Sequence, residues 1–171
     1  MRFPCHALEA SFFDTAPMRF KNVVELSGRP ADVFAIFEDG ESWPRWFPGI
    51  HKVVWTSNKP YGVGSTRTVS ALVSIDEYFF RWEQNRRCSF YLTAHSMPLF
   101  HAFAEDYLLE EVAPGRTQFT YIAAIEPRLT VRIGRPIAQT YFSSLFRNGC
   151  KGLQSYVLKG GASSSGGGKA P

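Results

Sequence analysis

Six consecutive runs of alternating residues, each closed by a short turn, leave this chain few ways to fold. They occupy residues 50–57, 65–72, 75–84, 88–95, 100–112 and 116–126. A period of two places successive side chains on opposite faces, as a strand requires and a helix cannot use. The segments between them are short and rich in breakers: Pro60-Tyr61-Gly62-Val63-Gly64, Asn85-Arg86-Arg87, Met97-Pro98 and Ala113-Pro114-Gly115. Links of this length join antiparallel neighbours, whereas parallel strands need a crossover of a dozen or more residues. The run is therefore an antiparallel meander.

The flanks supply the rest of an α+β chain. Residues 18–26, with Phe20, Val23, Val24 and Leu26, read as a further strand, which Gly28-Arg29-Pro30 breaks. Pro30 suits the first turn of a helix, where its missing N–H costs nothing. Val33, Phe34 and Phe37 then repeat at helical spacing over residues 31–37, and Asp39-Gly40 ends that helix. Ser42 is placed to cap a second short helix at Trp43-Pro44-Arg45-Trp46, which Pro48-Gly49 ends. After the meander, Pro127 and Pro136 bracket a loop. Residues 137–158 form one long helix with a stripe of Ile137, Tyr141, Leu145, Phe146, Leu153, Tyr156 and Val157. Gly149 and Gly152 weaken it by about 1 kcal/mol each relative to Ala. Their presence predicts close approach of the helix to the sheet.

The long helix is the only element large enough to cover a seven-stranded antiparallel sheet that needs one face buried. A single helix across a strongly bent sheet need not fill the space beneath it, and the gap is a natural ligand cavity. The competing reading fills the gap with aromatic side chains. The chain could supply them, since aromatic residues make up 15% of it.

Length and charge narrow the function. At 171 residues the chain has the size of one domain. Its net charge is +4, but Arg86-Arg87 is the only adjacent Lys/Arg pair, so no basic stripe for nucleic acid is expected. Cys5, Cys88 and Cys150 form no CxxC pair, which points to reduced thiols and a cytoplasmic setting. No signal-peptide core and no membrane-spanning run is present. His6, His51, His95 and His101 lack i,i+4 partners, so no metal site is expected. Gly62-Val63-Gly64 lacks the third glycine of a dinucleotide loop, and no cofactor is expected. Residues 1–17 show no sustained periodicity and read as a loosely held extension. Met18-Arg19-Phe20 repeats Met1-Arg2-Phe3, so Met18 reads as an alternative start. Residues 18–159 are the expected domain, and the Gly/Ser-rich residues 160–171 a flexible tail.

The order of elements and several local motifs resemble the START-like superfamily, in particular its polyketide cyclase/dehydratase-like group, known as SRPBCC. Pro30-Ala31-Asp32-Val33-Phe34, Trp43-Pro44-Arg45-Trp46-Phe47-Pro48-Gly49-Ile50 and Gly62-Val63-Gly64-Ser65-Thr66-Arg67 carry the resemblance. Gly115-Arg116-Thr117-Gln118-Phe119-Thr120-Tyr121 and the Gly152-Leu153 step add to it. The resemblance covers about residues 18–158. It implies a helix-grip fold, a curved sheet wrapped around the C-terminal helix, and a small hydrophobic or amphipathic ligand. The superfamily contains cyclases, hydrolases, lipid carriers and receptors, so fold alone does not choose among a cyclase or dehydratase, a lipid or quinone carrier and a regulatory module that binds a protein partner.

Strand alternation names the polar candidates for the interior. His101, Phe103, Glu105 and Tyr107 share parity, as do Arg67, Val69 and Ala71. A buried carboxylate needs a partner, and Arg67 can serve Glu105 or Glu77. An inward Glu105 or His101 would either orient a ligand's polar head or act as a general base. Phe119 and Tyr121 of the last strand, with Leu145 of the helix, complete the expected lining. Tyr141 and Asn148, with Ser144 between them, lie along one helical line that could meet a ligand's oxygen atoms. Trp43, Trp46 and Phe47 form either a lid or a plug.

Overall fold

The computed structural model describes residues 1–160. In chain order the elements are β1 (Phe3–Pro4), α1 (Phe12–Thr15), β2 (Met18–Ser27), α2 (Pro30–Glu38) and α3 (Trp43–Trp46), followed by the meander. The meander comprises β3 (Lys52–Trp55), β4 (Thr66–Ser70), β5 (Ser74–Glu83), β6 (Arg87–His95), β7 (Phe100–Ala113) and β8 (Arg116–Pro127). Two helices close the chain, α4 (Leu129–Ile133) and α5 (Arg135–Leu158). The short α4 occupies the stretch expected to be a loop between Pro127 and Pro136.

The sheet runs β2-β8-β7-β6-β5-β4-β3 and every pair is antiparallel. The first long strand thus joins the last, and the meander from β3 to β8 is unbroken. The tight β7–β8 turn rests on Gly115, whose φ of 71° a side chain would disfavour. The expected helix-grip architecture is present, with α5 across the concave face.

The interior lies between that face and α5. Phe146, Gly149, Cys150, Leu153 and Val157 are the buried residues of the helix. Its first turns stand off: Ile137 is 79% and Tyr141 56% exposed. The stripe read from sequence therefore holds only from Leu145 onward, and Phe142 takes the inward place given to Tyr141. Phe142 meets Phe20, Phe100 and Phe146. The two helix glycines face α3 rather than the sheet. A Cβ on Gly149 would meet the Phe47 ring, and one on Gly152 the Trp46 backbone.

Residues 1–17 differ from the loosely held extension expected of them. β1 pairs with the far end of β6, Phe3 opposite His95 and Pro4 opposite Ala94. The Cys5 N–H donates to Thr93 O and the His6 N–H to His101 O. The reason is a seam in the sheet. β7 pairs with β6 only from Arg87 to Tyr91, so the backbone beyond would lack partners, which buried strands do not tolerate. Phe13 packs with Ala104 and Ala124 on the convex face, beside Phe80, Tyr91 and Ile122. The expected tail lies, from residue 161 on, outside the described residues.

Candidate functional site

The bend of the sheet and the stand-off of α5 leave a cavity of about 460 Å³ between them. Its mouth is framed by Pro48 and Gly49 after α3, by Leu72 and Val73 in the β4–β5 turn, and by Tyr141. The walls are apolar: Val69 and Ile75 from the sheet's outer hairpin, Phe100 and Phe103 from β7, Phe142 and Phe146 from α5. Alternation explains this directly, since every second residue of a strand faces the same side. The buried end is polar and is formed by Arg67, Glu77, Glu105 and Tyr107 beneath Trp43.

Arg67 and Glu77 occupy directly opposed positions on β4 and β5. Arg67 Nε lies 2.5 Å from Glu77 Oε2, and both residues are buried. The guanidinium carbon is 4.3 Å from the ring centre of Trp43, 4.8 Å from Phe90, 5.0 Å from Phe79 and 5.4 Å from Trp55. Burial opposes the Arg67 charge, but the Glu77 carboxylate outweighs it and Arg67 is held charged.

Glu105 has no such cation. Its one side-chain hydrogen bond comes from the Tyr107 hydroxyl, 2.7 Å from Oε2. Burial, followed by the nearby Glu77 charge, pushes the Glu105 carboxyl up to about 7, against the opposing pull of the Tyr107 and Tyr121 hydroxyls and Arg67. The Tyr107 ring is itself wedged between Phe37, Phe90, Phe119 and Tyr121. The neighbouring Tyr121 hydroxyl is buried without a hydrogen-bond partner among the described residues. Burial raises the Cys88 and Cys150 thiols, so neither is a ready nucleophile.

Of the residues expected at the site, Arg67, Phe103, Glu105, Tyr107, Tyr141 and Leu145 are brought together on the cavity wall. Phe119 and Tyr121 lie behind it, packed against Tyr107. Asn148 is exposed and donates to Ser144 Oγ at 3.4 Å. His101 is turned away from the cavity. A β-bulge between Phe100 and Ala102 makes it an extra residue in β7, so its parity with Phe103 is lost. It stacks instead on His6 and lines a separate cleft with Glu126, Arg132 and Arg135.

Arg67's ion-pair partner is Glu77 rather than Glu105. Counting outward from the turn at residues 71–73 reaches this pair directly, whereas Glu105 lies on β7, with β6 and β5 between it and β4. Trp43, Trp46 and Phe47 are all buried and plug the end of the sheet, though Trp43 and Phe47 also reach the cavity wall. Phe142 is a wall residue that the stripe read from helical periodicity did not include.

The family model for "Polyketide cyclase / dehydrase and lipid transport" matches residues 17–157. An uncharacterized protein of Mycobacterium tuberculosis H37Rv is 36% identical over 152 residues, 85% of this chain and 90% of the relative. An uncharacterized protein of Mycobacterium bovis matches to the same extent. Among solved structures, a START superfamily protein from Mycobacterium smegmatis superimposes with a TM-score of 0.71 at 16% identity. That match covers 82% of this chain and 97% of the other. A protein from Thermus thermophilus gives 0.70 at 14% identity, over 84% and 99%. At such identities the likeness concerns the fold alone. No helix among the described residues is long and apolar enough to cross a membrane.

Proposed function

The chain belongs to the polyketide cyclase / dehydrase and lipid transport family, and from that premise we propose that it binds a small, largely apolar molecule in the cavity beneath α5, with the ligand's polar group set against Glu105 and Tyr107. One observation carries the reading: an apolar cavity of about 460 Å³ whose Arg and Glu side chains all gather at its buried end. That volume lies within the range of small-molecule pockets. Apolar walls supply affinity and the polar end fixes orientation. All three cysteines are free, in keeping with a cytoplasmic setting.

The same geometry favours a second reading, acid–base chemistry of the cyclase or dehydratase kind. A carboxyl titrating at about 7 takes up and releases a proton at neutral pH, as a general acid–base group must. Tyr107 donates to it and orients it. Native mass spectrometry of freshly purified protein, combined with calorimetric titration of apolar aromatic compounds, tests the binding reading. Saturable one-to-one binding at micromolar levels, weakened by Leu145→Trp, is expected. Absence of any such ligand from a broad apolar set refutes it.

A further inference from the structure

We propose that this cavity selects a ligand whose buried polar group is uncharged, a hydroxyl or a carbonyl, and discriminates against carboxylates. The inference rests on the binding reading above and adds to it the chemistry of the ligand's head. It follows from a charge inventory. Apart from the phenols of Tyr107 and Tyr141, the ionisable side chains on the cavity wall are Arg67, Glu77 and Glu105. Two carboxyl groups therefore share one guanidinium, whose charge Glu77 already balances, with Arg67 Nε donating to Oε2 at 2.5 Å. Four aromatic rings surround it, their centres 4.3 to 5.4 Å from the guanidinium carbon. An apolar pocket built for fatty or aromatic acids needs a free cation at its closed end, because an unpaired buried carboxylate is costly. Here the group beside the ion pair is another carboxyl.

Glu105 fits an uncharged head in either protonation state. Protonated, it donates to a ketone; ionised, it accepts from a ligand hydroxyl. Its Oε2 is engaged by Tyr107, and the residue lines the cavity wall where a ligand's head would meet it. The groups around it are Arg67 on β4, Glu77 on β5, Cys88 on β6, Tyr107 on β7, Tyr121 on β8 and Cys150 on α5, and none adds a second cation. A bound carboxylate would add a negative charge beside Glu77 and force Glu105 to hold its proton.

The test compares two aromatic probes of matched shape, 2-acetylnaphthalene and 2-naphthoate, by calorimetry with the full chain at pH 8.5. The ketone is expected to bind at least about tenfold more tightly, the usual sense of burying an unpaired charge. Glu105→Gln should narrow that ratio to about threefold or less. Independently of the variant, lowering the pH to 6 should tighten naphthoate about tenfold with proton uptake, since naphthoate itself stays ionised there. The ketone should change little. Naphthoate binding as tightly as the ketone to the unaltered protein at pH 8.5 overturns the selectivity alone. So does a naphthoate affinity that ignores both pH and the substitution. Binding of neither probe overturns the binding reading and this inference together.

Discussion

The carbonyl oxygen of Trp46 lies 1.9 Å from the position a Cβ on Gly152 would take. The α3–α5 contact is therefore backbone against backbone, and it fixes where the long helix stands over the sheet. Gly152→Ala gains about 1 kcal/mol in helix propensity. It also drives a methyl into a carbonyl that has no side chain to move aside. We expect a net loss of about 2–3 kcal/mol in urea denaturation, the scale of overpacking in a well-packed core. Gly149→Ala meets only the Phe47 ring, at 2.7 Å, and a ring can shift. Its loss should be smaller. Equal losses at the two positions would show that α5 moves as a whole.

The Arg67–Glu77 pair should behave as one unit. Arg67→Met alone strands a buried carboxylate, and Glu77→Gln alone strands a guanidinium among aromatic rings. Each should cost about 3–5 kcal/mol. The double variant should cost clearly less than the sum of the two. A thermodynamic cycle with coupling near zero would place the pair in a solvated setting, where such bridges contribute at most about 1 kcal/mol.

Glu105 makes stability depend on pH in a known direction. Its carboxyl titrates at about 7 in the folded protein, above its ordinary 4.5. The native state thus holds the proton more tightly than the unfolded chain does. The associated stability is fully present below about pH 4.5 and is lost as the pH rises through about 7. Other carboxylates act oppositely; Asp32, lowered by its hydrogen bond from Arg29, is one. The comparison with Glu105→Gln isolates the term. Relative to that variant, the unaltered protein should lose about 2 kcal/mol between pH 5 and pH 8.5, allowing for solvent in the cavity. A difference that stays constant across that range means that the group titrates normally.

The backbone plan was legible because alternation and turn residues are local signals. The strands from Met18 to Pro127 need nothing beyond period and breakers, and the pairing of Arg67 with Glu77 follows from counting around one hairpin. What failed depended on relations the chain does not write locally. The bulge that turns His101 away inserts one residue, and nothing in the Phe100-His101-Ala102 sequence marks it. The inward place of Phe142 over Tyr141 depends on how far α5 stands from the sheet, which Gly149 and Gly152 set from the helix's other end. The closeness of Glu105 to Glu77 arises from sheet curvature, which joins residues of non-adjacent strands.

The N-terminal residues carry the last prediction. Sequence alone set them aside, because a segment without periodicity offers no face to bury. The structure gives them two tasks that need none. Cys5 and His6 donate backbone hydrogen bonds to Thr93 and His101 across the seam between β6 and β7. Phe13, only 5% exposed, covers the convex face. Burying one such ring contributes about 1.5–3 kcal/mol, and the orphaned seam carbonyls add to the loss. A chain begun at Met18 should therefore unfold about 10 °C below the full chain, given roughly 2–4 °C per kcal/mol at this size. Phe13→Ala, which leaves the seam intact, should account for about half of that fall. An unchanged melting temperature on removing residues 1–17 would mean that the segment rests on the sheet without stabilising it, and Met18 would regain its standing as a sufficient start.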